Sequence, residues 1–209
     1  MTQNEKKEFD NIGANSDIWD SFKDMLIGFS PIGVIRSPFK ELKGMPIQPA
    51  GAKDVEGQVI LFPEYKDGLK DLDGFSHIIL IYFFHKAFPS DNLVNISEVN
   101  KRITIFPHKD HKLQNLPYME DVPHGIFAIR APKRPNPIGI SIVPIKSVED
   151  NIIRVNNIDV LDNTPLLDIK PFVPGFDLPF VTDLSQIKIG WLGKQIHKVH
   201  NQTADDRYL

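Results

Sequence analysis

Pro123-His-Gly-Ile-Phe-Ala-Ile-Arg-Ala-Pro-Lys-Arg-Pro-Asn-Pro-Ile-Gly-Ile-Ser141 divides into three parts. Gly125 to Ile129 reads as a strand. Pro132, Pro135 and Pro137 then enforce a loop, and an apolar, β-branched run resumes at Ile138. Each proline fixes its own φ and lacks an N–H. Each also pushes the residue before it (Ala131, Arg134 and Asn136) toward extended backbone. Such a loop has lost much of its freedom before folding, so Arg130, Lys133, Arg134 and Asn136 can be held in place at small entropic cost. No Asp or Glu occurs from His124 to Val148. A stiff, basic loop between two strands reads as a ligand site, because function concentrates on loops held by rigid scaffolds. The plain alternative is a Pro-rich surface crossover.

Upstream, alternation predicts a strand over Ile32–Phe39, stopped at Pro38, then a loop from Glu41 to Val55. Gln58–Phe62 is a second strand. Tyr65–Leu72 reads as a short helix with Leu69 and Leu72 toward the core. Ile78–Phe84 is the most apolar run and reads as a fully buried strand, with His77 entering it and His85 at its end. His77 suits a local hydrogen bond better than chemistry. Phe88–Lys101 is loop-like, Arg102–Phe106 a strand, and Pro107–Pro123 irregular.

Downstream, Ile140–Ile145 and Ile152–Val155 read as strands joined by a hairpin through Glu149-Asp-Asn151, and Val155–Asp162 begins the last core element. Apart from the short Tyr65–Leu72 segment, helices are expected only at the ends. Asp17–Ile27 has Ser16 as N-cap and apolar residues at helical spacing. Ser185–Val199 is the other. The pattern predicts a mainly β fold closed as a small barrel, with peripheral helices. It implies an extension over 1–30, the barrel over 31–178 and a partly helical tail over 179–209.

Composition narrows the functions. At 209 residues, with 41% hydrophobic and 24% charged residues, the chain suits one globular domain with appendages. It has no cysteine, which excludes disulfides, thiolate nucleophiles and zinc ribbons. No apolar run approaches a membrane span, and the polar N-terminus is unlike a secretory signal. The expected compartment is the cytoplasm. A net charge of −3 means that any nucleic-acid role must rest on a local basic patch. His108-x-x-His111 and His197-x-x-His200 have metal-like spacing, yet spacing alone supplies too few ligands. No metal site is expected.

Ile129-Arg-Ala-Pro-Lys-Arg-Pro-Asn-Pro-Ile-Gly139 resembles the signature of the TsaA-like (TrmO-type) family. A second match is Leu161-Asp-Asn-Thr-Pro-Leu-Leu-Asp-Ile-Lys-Pro171, where Asn163 stands for the family's glycine and Phe172 for its tyrosine. Asn tolerates left-handed backbone, so the turn can survive. Gly74-Phe-Ser-His77, the apolar run and His85 also match. Pro46-Ile47-Gln48 stands where the family has Pro-Arg-Gln, so the arginine is missing. The resemblance covers roughly Ile32 to Asp177.

The family comprises tRNA methyltransferases that use S-adenosylmethionine and are built on a β-barrel rather than a Rossmann fold. The resemblance implies cofactor contacts at Pro46, Ile47, Gln48, His85, Lys86, Arg130, Ile140, Asp162, Asn163, Thr164 and Pro165. It also implies a homodimer with the cofactor near its interface, and a threonylcarbamoyl-modified adenosine 37 of the anticodon loop as substrate. Arg130 suits a carboxylate or phosphate. Backbone groups at Ile140 and in Asp162–Pro165 suit the adenosyl part, and Asp162 a ribose hydroxyl or the amino group. Lys133, Arg134 and Asn136 are candidates for tRNA contact, since RNA readers grip unpaired loops. His85 and Asp168 are the nominees for a general base. Two other functions stay open. One is a cofactor- or RNA-binding module without methyl transfer. The other is a metal-dependent hydrolase using His85, His108, His111 and His124.

Overall fold

Strands form at Gly33–Arg36 (β1), Gly57–Leu61 (β2), His77–Phe83 (β3), Thr104–Ile105 (β4), His124–Gly125 (β5), Ile138–Glu149 (β6), Ile152–Val155 (β7) and Thr164–Pro171 (β8). The structure is a computed structural model describing residues 25, 27–87, 104–105, 124–179 and 183–194. The chain divides into two compact units, Met1–Ser30 and Pro31–Leu209. The N-terminal helix expected over Asp17–Ile27 lies, but for Met25 and Ile27, outside the described residues.

Six strands of the second unit close into an antiparallel ring in the order β1-β2-β7-β6-β3-β8, with β8 returning to pair with β1. The mainly β expectation therefore holds. Period-two alternation sends Ile35, Val59, Leu61, Ile78, Leu80, Val143, Ile153, Val155 and Leu166 into one interior core. β6 is the longest strand because it serves two neighbours. Its first half pairs with β3 as far as Pro144, and its second half pairs with β7 across a bulge between Ile145 and Ser147. The β6–β7 hairpin turns through Asp150, whose φ is 57°.

Several expectations change. The last core element does not begin at Val155: β7 ends there, residues 156–163 form a loop, and β8 starts at Thr164. β3 is not buried on both faces: Ile78, Leu80 and Tyr82 are buried, while Ile79, Ile81 and Phe83 are half-buried on the outer face. Gly125–Ile129 is no strand beyond Gly125. β5 pairs only with β4 in a separate two-stranded sheet, and the chain then turns in a 3-10 helix over Ile126–Ala128. Each ring strand already has a neighbour on either side, and this segment pairs with none of them. The tail helix is replaced, as far as residue 194, by 3-10 turns at Leu184–Gln186 and Gly190–Lys194. Gly190 has φ +58°, which breaks any continuous helix there. Residues 195–199 of that expectation lie outside the described ones. Tyr65–Leu72 is likewise 3-10 in character, over Pro63–Leu69 and Leu72–Gly74, yet Leu69 and Leu72 are buried as expected.

Candidate functional site

Antiparallel closure gathers distant segments at one rim. Arg36 pairs with Gln58, Gly57 with Val155, Phe83 with Ile138, and Ile35 with Thr164. The ends of β1, β3 and β7 and the starts of β2, β6 and β8 therefore share one end of the ring. The loop carrying Pro46–Gln48 follows β1. His85 and Lys86 follow β3, Arg130–Asn136 precede β6, and Asp162 and Asn163 precede β8. Nearly every sequence-predicted site residue thus lies at this rim.

Two hydrogen bonds join those segments. The Arg130 Nη1–H donates to Gln48 Oε1 at 2.9 Å. Gln48 therefore meets the basic loop, although the arginine expected beside it is Ile47. Thr164 Oγ1 lies 3.4 Å from His85 Nδ1 and donates its own proton to the Leu161 carbonyl at 2.7 Å. With that proton spent, the threonine oxygen can only accept from Nδ1–H, which leaves the lone pair on His85 Nε2. Burial, with the charge of Lys86, pushes the His85 pKa down and keeps the ring neutral near pH 7.

The basic loop is docked at both ends. Phe84 N–H donates to the Pro137 carbonyl at 2.8 Å, and Arg134 Nη1 reaches the Ile129 carbonyl at 3.5 Å. Asn136 is exposed, whereas Lys133 and Arg134 are half-buried. Arg130 and Lys86 are exposed, Pro46 is buried, and Ile47 and Gln48 are half-buried. Gly139 lies against Tyr82 and Phe84, where a Cβ would overlap both rings. Ile140 points outward and is exposed.

Asp162 is engaged more heavily than expected. Its Oδ1 accepts from Arg36 Nε at 2.9 Å and Ser37 N–H at 3.0 Å, and its Oδ2 accepts from Lys40 Nζ at 2.6 Å. Burial favours the neutral acid, but Arg36, Lys40 and the Ser37 amide outweigh it and hold the carboxyl well below the usual range. Asn163 beside it takes the left-handed conformation, φ 61°, that the family glycine would supply. Asp168 sits four residues along β8 from Thr164, about 13 Å at ~3.3 Å per residue. Its carboxylate accepts from Ile169 N–H and pairs with Lys170 at 2.7 Å. The structure does not bring Asp168 to the rim. His77 makes the local hydrogen bond expected of it, to Ser76 Oγ at 2.9 Å.

Sequence reasoning missed one polar group. The start of β6, residues 138–144, runs past the end of β7, and the loop over 156–163 fills the notch. Ser141 Oγ donates to Asp159 Oδ1 at 2.6 Å and lies 3.0 Å from Tyr82 Oη. Because the serine proton goes to Asp159, Tyr82 must donate to Ser141. All three residues are buried. Burial pushes the Asp159 pKa up to about 6, against the lowering effect of Ser141, its own backbone and Arg130. The Tyr82 phenol is raised by burial and by the Asp159 charge, while Ser141 and Arg130 lower it. An aspartate inside the apolar run Ile158-Asp-Val-Leu161 was the available signal. Among the described residues no cluster of three His, Cys, Asp or Glu could hold a metal. His108 and His111 lie outside them.

The family model for the tRNA-methyltransferase O N-terminal domain matches residues 34–178. A probable S-adenosyl-L-methionine-binding protein from Pyrococcus abyssi is 47% identical over 185 residues, 88% of this chain and 86% of the relative. The tRNA (adenine(37)-N6)-methyltransferase of Escherichia coli is 34% identical over 152 residues, covering 70% of this chain and 57% of that protein. The crystal structure of TrmO from Pseudomonas aeruginosa superposes with a TM-score of 0.56 at 33% identity, over 76% of this chain and 61% of that one. The chain thus spans about three fifths of these two bacterial proteins.

Proposed function

Because the chain belongs to the family of the tRNA-methyltransferase O N-terminal domain, we propose that it methylates tRNA with S-adenosyl-L-methionine. The acceptor we assign is the N6 nitrogen of adenosine 37, bearing a threonylcarbamoyl group, in the cytoplasm. The observation that carries this reading is the Arg130–Gln48 hydrogen bond, which joins two separately predicted cofactor segments at one rim. The donor set suits the cofactor. Exposed Arg130 has guanidinium N–H groups beyond the one given to Gln48, in the fork geometry that matches a carboxylate. When bound, the cofactor supplies a methyl group on a positive sulfur, already activated for transfer.

The protein's own contribution is then alignment and proton handling. Gln48 orients Arg130. The backbone of Ile140 and of Asn163–Pro165 lines the adenosyl side, and Asp162 acts chiefly by clamping Arg36, Ser37 and Lys40 so that this turn keeps its shape. His85 is the general base we favour over Asp168: it is neutral and at the rim, with a lone pair on Nε2 to take the proton that the acceptor nitrogen loses. Asn136, with Lys133 and Arg134 behind it, meets the anticodon loop. Ile140 and Ile142, exposed on β6 and paired with Ile81 and Ile79 of β3, form an apolar outer face suited to a second copy of the chain near the cofactor. Among the described residues no helix is long and apolar enough to cross a membrane.

Titration calorimetry of S-adenosyl-L-methionine, with wild type and Arg130→Ala, tests the reading together with methyl transfer to modified tRNA. Binding that falls at least tenfold in the variant, with turnover in the wild type, supports it. Binding without turnover would make the chain a cofactor-binding module. No binding with or without tRNA would overturn both.

A further inference from the structure

The basic loop is stiffened on one side by Pro132, Pro135 and Pro137. The segment before Arg130 has no such device. β5 is two residues long, its only strand partner among the described residues is the two-residue β4, and a 3-10 turn follows. A ladder that short is not stable by itself. Among the described residues, the buried Ile126 side chain anchors the middle of this segment and the tail holds its two ends. The Trp191 ring stacks on His124 with centroids 4.2 Å apart and an interplanar angle of 13°. Its indole N–H donates to the Ala128 carbonyl at 2.9 Å. One side chain thus grips both ends of His124–Ala128, two residues before Arg130.

We propose that Trp191, which lies beyond the matched family domain, is a positioning residue for cofactor binding: by pinning His124–Ala128 it delivers Arg130 to Gln48. Indole suits the task, because a large flat face and a single donor fix a partner's plane and its carbonyl together. Without it the segment regains backbone freedom that binding must remove again. The inference rests on the assignment of Arg130 to the cofactor.

The test uses the full chain and S-adenosyl-L-homocysteine as probe. Trp191→Ala should weaken binding about tenfold with the main thermal transition kept. Trp191→Phe, which can stack but has no N–H, should fall between. In an Arg130→Ala background, Trp191→Ala should have no further effect, since Trp191 acts through Arg130. Trypsin cleavage after Arg130 or Lys133 in the free protein should accelerate several-fold in Trp191→Ala. Equal binding by wild type and Trp191→Ala, or losses that simply multiply in the double variant, would overturn the inference. Failure of the wild type to bind would remove the cofactor assignment instead. An unchanged trypsin rate would in that case sink the pinning by itself.

Discussion

Asp159 and Asp162 stand three residues apart in one loop, both buried, with opposite acid–base character. Asp159 accepts from the Ser141 hydroxyl, and burial outweighs the help of that bond, its own backbone and the charge of Arg130, so its pKa is raised to about 6. Asp162 faces two cations and an amide, and its pKa is held below the usual range. Burial is common to both, so the partners decide. The charged aspartate fastens β1 to the turn before β8. The other leaves a titratable group beneath the rim, linked through Ser141 to Tyr82.

The strongest way to break this contrast is Asp162→Ala. It strands the Ser37 amide and leaves Arg36 and Lys40 unpaired, at a cost of about 3 kcal/mol near pH 7. A depressed native pKa gives stability that is present above the unfolded value of about 4 and lost as pH falls below it. Urea midpoints of variant and wild type should therefore converge from pH 5 downward.

Asp159→Asn should act the other way. The native pKa exceeds the unfolded one, so stability is full below about pH 4 and lost as pH rises toward 6. The amide keeps an acceptor for Ser141 and removes that ionisation penalty. The variant should match the wild type at pH 4 and exceed it by about 3 kcal/mol at pH 7.5 in the same urea series. A difference that does not vary with pH would place the titration elsewhere.

Tyr82→Phe sharpens the comparison by removing the far end of the hydroxyl chain. It should cost about 1 kcal/mol at any pH between 5 and 8, because Ser141 loses one donor but keeps Asp159. Asn163→Gly should have the smallest effect, a gain of about 0.5 kcal/mol in thermal unfolding. Glycine relieves the left-handed backbone but adds freedom to the unfolded chain.

The two aspartates also mark how far the sequence could be read. Asp162 is visible as a site residue through its motif, whereas its pairing with Arg36 and Lys40 is not, because they lie more than 120 residues away in the chain. Asp159 was passed over, because nothing local says that Ser141 and Tyr82 approach it. The β3 run was read as buried on both faces because continuous apolar patterns conceal which face turns outward. Gly125–Ile129 has the composition of a strand, yet only its first residue joins a ladder, with β4 outside the ring. The tail's apolar residues suggested one helix, and Gly190 with its positive φ separates two turns instead.

By itself, the sequence determined five of the six ring strands, within a few residues, the stiffness of the Pro-rich loop and the left-handed turn at Asn163. These follow from local forces: side-chain alternation, fixed proline φ and the tolerance of asparagine for positive φ. Only the tertiary structure decided that Gln48, His85, Arg130 and Thr164 share a rim, that Asp159 is raised and Asp162 lowered, and that Trp191 meets His124 and Ala128. Strand closure sets which chain ends meet, and desolvation and long-range partners set what a carboxyl group does there; neither is written in any local window of sequence.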